Sequence, residues 1–293
     1  HYFPFWKNIL NKKAAALYRT SEPRFDEVQK RLIAELKENG IAITHLDELF
    51  PGQDLLPKLQ AYSQGLMVSG QKREKGKTYI IDLMEKMTTV DLNNPFLKLA
   101  LSPKVVAIAN GYMDMYSKFF MQSLILVAPV GDATPISSQR WHRDPEDKKL
   151  CKIFVYLNDV DEETGPFTYA TKTHADGKWG NLFPQRPPQG RTNINEEVLG
   201  RILPKENFKV VTGRAGAIVF ADTTGIHRGG YAKTKQRLMS TAGFCSPASL
   251  WLPKFVYPAA REVEKIPESS VRYALQPWYD RAKSAADTGM GMQ

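Results

Sequence analysis

Cys151-Lys152-Ile153-Phe154-Val155-Tyr156-Leu157 is the stretch whose reading decides the fold. Side chains on an extended chain alternate between two faces, so Cys151, Ile153, Val155 and Leu157 form an aliphatic face while Lys152, Phe154 and Tyr156 form a mixed one. The aliphatic face belongs on a core, and the mixed face is a candidate cavity wall. Short β-branched and aromatic runs of the same kind, punctuated by Gly, Pro and Asp, recur at 120–127, 167–170, 208–212, 217–220 and 237–244. Such spacing predicts an antiparallel sandwich or barrel.

Upstream of this region the period changes. Between 21 and 40, Phe25, Val28, Leu32, Ile33 and Leu36 fall on one helical face, opened by Pro23 and closed by Gly40. A β-prone run at 41–44, a helix at about 55–66 and a third helix between 95 and 116 follow, with the polar stretch 69–78 read as a loop. The predicted class is therefore α+β, mainly β: one domain over 21–250, with a helical layer at 21–118 and a β-rich core at 119–245. A Gly-, Pro- and Asn-rich connection at about 174–207, interrupted by one helical pattern near 196–202, is long enough to expect a lid insertion. Residues 1–20 and 251–293 read as extensions, the second partly helical with a flexible end.

The 293 residues are 42% hydrophobic and 24% charged, which supports a sizeable core and excludes disorder as a description of the whole chain. Forty Lys and Arg against 31 Asp and Glu give a formal charge of +9, so anionic partners are expected, without a choice between small metabolites and nucleic acid. The basic residues are scattered, and no basic patch interleaved with aromatics points to nucleic acid. Two cysteines, Cys151 and Cys245, are too few for a disulfide framework, although one bridge between them is open; a reducing cytoplasm is the expected location. No apolar run approaches the length of a membrane helix, and Lys7 interrupts the opening hydrophobic stretch.

The chemistry concentrates in two short motifs. In Trp141-His142-Arg143-Asp144-Pro145 a His and an Asp stand two apart, which on extended chain sends both side chains the same way. In Gly225-Ile226-His227-Arg228-Gly229-Gly230 a second His follows the run 217–220, where an antiparallel fold can set it opposite the first pair. Two His and one carboxylate on one side of a metal form the facial arrangement of non-haem Fe(II) oxygenases, and zinc accepts the same donors. Ten residues past His227, Arg237 opens the next run, where its guanidinium can take a carboxylate through two parallel hydrogen bonds.

With His142, Asp144, His227 and Arg237 in this order on the β-rich part, the chain resembles the Fe(II)/2-oxoglutarate dioxygenases, and within them the phytanoyl-CoA dioxygenase-like family. The likeness includes Tyr156-Leu157-Asn158-Asp159-Val160, Glu163-Thr164-Gly165-Pro166-Phe167 through His174, and the opening Leu36-Lys37-Glu38-Asn39-Gly40-Ile41-Ala42-Ile43, and spans about residues 25–244. Thr171-Lys172-Thr173-His174 departs from that family's Pro-Gly-Ser-His ending. Other branches fit less well: Met239 stands where plant-type relatives have Ser, and Gly243 where nucleic-acid demethylases have a second Arg. Halogenating relatives lack the carboxylate that Asp144 supplies here.

The resemblance implies a double-stranded β-helix (jelly roll, cupin-like) core with a flanking helical layer. It also implies Fe(II) on His142, Asp144 and His227, 2-oxoglutarate as co-substrate anchored by Arg237, and O2 as oxidant. The implied reaction is hydroxylation of an unactivated C–H of a small, anionic metabolite, with succinate and CO2 as co-products. Lys152 aligns loosely with a position that contacts 2-oxoglutarate in some relatives, and Gln122 is a candidate for the same cavity, although alternation alone leaves its face open. His174 is read as a structural histidine. Lys178, Arg186 and Arg191 are candidates to meet an anionic substrate, and Trp179 and Phe183 to close over it or pack the lid. The competing readings are a metal-binding barrel without turnover, acting as a sensor or binding module, and a nucleic-acid-binding protein.

Overall fold

A computed structural model describes residues 3–21, 23–69, 72–74, 77–84, 89–131, 134, 136–184, 194–253 and 255–277. Ten strands occur among them: β1 (Ile41–His45), β2 (Lys72–Glu74), β3 (Lys77–Asp82), β4 (Lys118–Val127), β5 (Cys151–Tyr156), β6 (Phe167–Ala170), β7 (Phe208–Val211), β8 (Ala217–Ala221), β9 (His227–Gly229) and β10 (Arg237–Cys245). Seven make one sheet in the order β1-β8-β5-β10-β4-β3-β2, and three make a second in the order β7-β6-β9. Every pairing is antiparallel.

The alternation in β5 is realised. Ile153 and Val155 join Leu97, Val105, Ile108 and Phe220 in the core between the large sheet and the helices. Phe154 and Tyr156 instead join Phe167, Tyr169, Val211 and Met239 between the two sheets, with the Phe154 and Phe167 rings 4.7 Å apart. The two faces of one strand thus serve two cores, and the mixed face lies on the side where the small sheet stands.

Several boundaries differ from the sequence reading, each for a local reason. The first long helix runs Glu27–Asn39, not from Pro23, because Asp26 caps it: its side chain accepts from the Gln29 amide at 2.9 Å while the Gln29 side chain accepts from the Asp26 amide at 3.0 Å. The helix expected over 95–116 is two, Pro95–Ala100 and Pro103–Met113, divided where Ser102 caps the second and Pro103 enters its first turn. The polar stretch 69–78, read as a loop, contains β2 and the start of β3. Pairing of Ile80–Asp82 with β4 outweighs composition there. The large sheet also takes in β1, so the β core is not confined to 119–245. Residues 3–20 are helical, and Trp6 is buried with its indole N–H donating to Asp147 at 2.8 Å. Cys151 and Cys245 are both free and buried, which removes the bridge left open by the sequence. Among the described residues, no helix is long and apolar enough to cross a membrane.

One buried carboxylate ties the layers together. Asp222, just past β8, accepts from the Tyr112 hydroxyl at 2.5 Å and from the backbone amides of Leu150 and Thr224 at 3.2 and 2.9 Å. Its own carbonyl accepts from the Tyr169 hydroxyl at 2.8 Å, and its amide donates to Gly40 at 2.8 Å. Gly40 is in the left-handed region, and a Cβ there would lie 2.4 Å from the Tyr169 hydroxyl, so only glycine closes the helix this tightly. Burial, and then the charge of Asp222, push the Tyr112 hydroxyl well above its usual range, so it acts as a permanent donor. Tyr112→Phe keeps the packing and removes one charge-assisted hydrogen bond, which is expected to cost about 1.5–3 kcal/mol. A lower urea midpoint at unchanged slope is the expected result, and an unchanged midpoint would contradict it.

Candidate metal and carboxylate site

The segment carrying His142 and Asp144 is fixed by what its odd-numbered residues do. The Trp141 ring packs edge-on against Phe208 at 5.5 Å, in a cluster with Ile194 and Leu199. The Arg143 guanidinium donates to the carbonyls of Thr173 at 2.6 Å, Leu182 at 2.7 Å, Phe183 at 3.0 Å and Gly180 at 3.3 Å, and also to that of Thr224. With Trp141 and Arg143 held outward, His142 and Asp144 point inward, as period 2 requires. Arg143 thereby fastens the connection after His174 against the outside of this segment, a role its sequence context did not reveal.

His227 reaches the same place from β9. His142 and His227 exchange both backbone hydrogen bonds at 2.9 Å, and the Asp144 amide donates to Thr223 at 2.8 Å. Their rings stand 4.3 Å apart. The Asp144 carboxylate lies 3.6 Å from His142 Nε2 and 3.5 Å from His227 Nε2, and the three ligand atoms all fall within 4.8 Å of one another. Each Nδ1 is taken by a local carbonyl, Arg140 at 2.7 Å for His142 and Gly225 at 3.0 Å for His227. A carbonyl only accepts, so in the neutral rings Nδ1 carries the proton and both Nε2 lone pairs face the gap.

The electrostatics favour that state. Burial, reinforced by the neighbouring His142, lowers the His227 imidazole to about 3, which keeps it neutral. Burial by itself would raise the Asp144 carboxyl; the Lys152 ammonium, 2.7 Å away, outweighs it and holds the group well below the usual carboxylate range. The donor set is thus two imidazoles, each with Nε2 toward the gap, and one carboxylate, the set that a divalent transition metal takes.

The other predicted residues separate into groups. Arg237 lines the same cavity of about 260 Å3 as the triad. It is buried, its Nη2 reaches only the Gly230 carbonyl at 3.5 Å, and its Nε and Nη1 have no hydrogen-bond partner. No carboxylate pairs with it among the described residues. Lys152 also lines the cavity, but its ammonium is spent on the protein, 2.7 Å from Asp144 and 3.0 Å from Glu146. Gln122 stands at the wall between Met121 and Ser123, yet its amide nitrogen donates to Ser240 Oγ at 2.8 Å. Ser240 shares the helix-side face with Leu238 and Ala242, so the Gln122 amide is turned from the triad. His174 is fully buried behind the site, its Nε2 bonded to the Lys37 carbonyl at 3.2 Å. Trp179 and Phe183 pack on the Trp141 cluster, and Lys178 stacks on Trp179 at 4.7 Å, beside a different groove. Arg186 and Arg191 lie outside the described residues.

Glu146 and Gln139 are among the cavity residues that escaped the sequence reading. Glu146 continues the alternation of His142 and Asp144 by one more step, so a signal for it was present. Gln139, three residues before His142, sits in a 3-10 turn where periodicity carries no information.

No family model matches the chain, and no curated protein does. Solved structures do. The epimerase SnoN, determined with Fe3+, alpha-ketoglutarate and nogalamycin RO, is 17% identical over 83% of this chain and 91% of its own, with a TM-score of 0.58. EctD from S. alaskensis with bound Fe is 14% identical over 81% of this chain and 84% of its own, TM-score 0.55. AviO1 from Streptomyces viridochromogenes Tue57 is 18% identical over 79% of this chain and 100% of its own, TM-score 0.53. At these identities the likeness is one of fold: this chain has the architecture on which SnoN and EctD were solved with iron.

Proposed function

We propose that the protein is an Fe(II)- and 2-oxoglutarate-dependent oxygenase of the phytanoyl-CoA dioxygenase-like kind, built on a jelly roll, that hydroxylates an unactivated C–H of a small molecule. The observation that carries this reading is the pairing, in one buried cavity, of a His-Asp-His cluster with a guanidinium whose Nε and Nη1 have no hydrogen-bond partner among the described residues. A buried cation without a counter-charge is costly, so the site is built for an anion that arrives from outside. A dicarboxylate that can reach both a metal and Arg237 supplies it.

In this reading His142, Asp144 and His227 hold Fe(II), and Arg237 receives the far carboxylate of 2-oxoglutarate. When bound, the metal and co-substrate supply the oxidising power from O2, with 2-oxoglutarate leaving as succinate and CO2. The chain's own residues do the positioning. The carbonyls of Arg140 and Gly225 fix both imidazoles in the ligating tautomer. Lys152 keeps Asp144 ionised and, through Glu146, anchored. Phe154, Phe167, Met239 and Ile125 line the cavity with apolar surface that limits water.

Of the cations expected to meet an anionic substrate, Lys178 lies beside a different groove and Arg186 and Arg191 lie outside the described residues. Among the described cavity residues the lasting positive charges are Lys152 and Arg237, the first shared between two carboxylates and the second assigned to the co-substrate.

Succinate formation from 2-oxoglutarate under Fe(II), O2 and ascorbate, stimulated by a fraction of a metabolite pool, tests the reading; no succinate under any condition would favour the sensor alternative. His227→Ala should abolish that turnover, and full activity in the variant would remove the triad. Arg237→Ala should raise the 2-oxoglutarate requirement at least about thirtyfold, from about 2–5 kcal/mol of lost pairing, while iron binding stays near native. Lys152→Met leaves Asp144 and Glu146 facing each other without their cation, and should destabilise the metal-free protein by about 3–5 kcal/mol. Added metal should then raise the melting temperature of the variant more than that of the native chain; equal shifts would contradict the charge account.

A further inference from the structure

Among the described cavity residues the unpartnered buried polar atoms include two acceptors, Gln122 Oε1 and Glu146 Oε2, on side chains otherwise engaged with Ser240 and Lys152, and a set of donors. Arg237 Nε and Nη1 are donors, and a third donor without a partner, the side-chain nitrogen of Gln139, belongs to a residue only 4% exposed that lines the same cavity. The orientation of the Gln139 amide is set by the protein itself. Its Oε1 accepts from the Ile136 backbone amide at 3.0 Å, and a backbone N–H can only donate, so Nε2 is the atom left over. The turn that carries it borders the Arg237 end of the cavity: a Cβ on Gly229 would lie 3.7 Å from the Ser138 carbonyl and 3.8 Å from Arg237 Nη2. The Tyr79 hydroxyl lies 3.3 Å from Ser138 Oγ and is among the groups that influence Arg237. A buried amide nitrogen without an acceptor costs stability unless a ligand supplies one.

We propose that Gln139 is a second co-substrate-binding residue, its Nε2 donating to a carboxylate oxygen of 2-oxoglutarate held by Arg237. This rests on the oxygenase reading above. Donors without acceptors at this end make it selective for an acceptor-rich, doubly ionised ligand. It disfavours an amide or ester of the same length, whose nitrogen or alkyl group would meet a donor.

Glu and Leu substitutions separate this role from a structural one. Gln139→Glu retains an oxygen that can accept from Ile136 and so keeps the turn, but replaces the free donor with a carboxylate oxygen that faces the ligand. Gln139→Leu removes both functions at similar volume. The measurement is calorimetric titration of 2-oxoglutarate into anaerobic, Fe(II)-loaded native and variant proteins, with iron affinity measured separately. Gln139→Leu should weaken 2-oxoglutarate binding about ten- to hundredfold, Gln139→Glu should weaken it more, and iron affinity should change little in either. Native affinity for 2-oxoglutarate in Gln139→Glu overturns the proposal and leaves Gln139 as a cap of its turn. If Gln139→Glu does not fold, native affinity in Gln139→Leu overturns it equally. Failure of the native protein to bind 2-oxoglutarate at all overturns the oxygenase reading itself.

Discussion

Two backbone hydrogen bonds between His142 and His227, both 2.9 Å, set the geometry on which the site depends. They bring two segments far apart in sequence into one antiparallel register, and a slip of one residue would turn both imidazoles away from the cavity. The register is held from outside as well as inside. Trp141 and Arg143 are occupied with the Phe208 cluster and with the carbonyls after His174, so the alternate residues His142 and Asp144 have one direction left. Asp222 fixes the other partner, binding the Thr224 amide close before His227 while it ties the segment to Tyr112 and Gly40.

Charge in the cavity follows the same logic. Asp144 is ionised because Lys152 stands beside it, and Lys152 is tolerated at 6% exposure because Asp144 and Glu146 outweigh its burial and raise its ammonium above the ordinary range. Arg237 has no such company, and burial lowers it from its ordinary value. It remains a cation, since arginine does not give up its proton in proteins. One end of the cavity is thus internally compensated and the other is left for a ligand to compensate, a division that gives the co-substrate one orientation.

How much of this was legible in the sequence depended on whether a residue's role was local. The alternation in residues 151–157 is a property of the backbone, so it placed Phe154 and Lys152 on the cavity side correctly. The shared direction of His142 and Asp144 was legible because they stand two apart on extended chain, whereas His227 and Arg237 stand on separate strands, β9 and β10, that the fold brings to one cavity. What failed was decided by distant partners. Strand β3 exists because β4 offers it an edge, which no polar composition at 69–78 announces. The Gln122 amide belongs to the helix side because the register with Ala242 puts it there, and that register is invisible in one sequence. Lys152 reads as a candidate co-substrate contact from a loose alignment, and a single sequence does not show that its ammonium lies between Asp144 and Glu146. Gln139 was missed because a 3-10 turn has no periodicity to read.

The account's central claim is that His142, Asp144, His227 and Arg237 serve one metal and one dicarboxylate together. The most direct measurement is a crystal structure of the protein grown anaerobically with Fe(II) and 2-oxoglutarate, with the metal located by its anomalous scattering. The account predicts a single iron peak bonded to Nε2 of both histidines and to the Asp144 carboxylate, with 2-oxoglutarate spanning from that iron to the Arg237 guanidinium. An iron peak elsewhere, or a co-substrate whose far carboxylate leaves Arg237 without a partner, would contradict it.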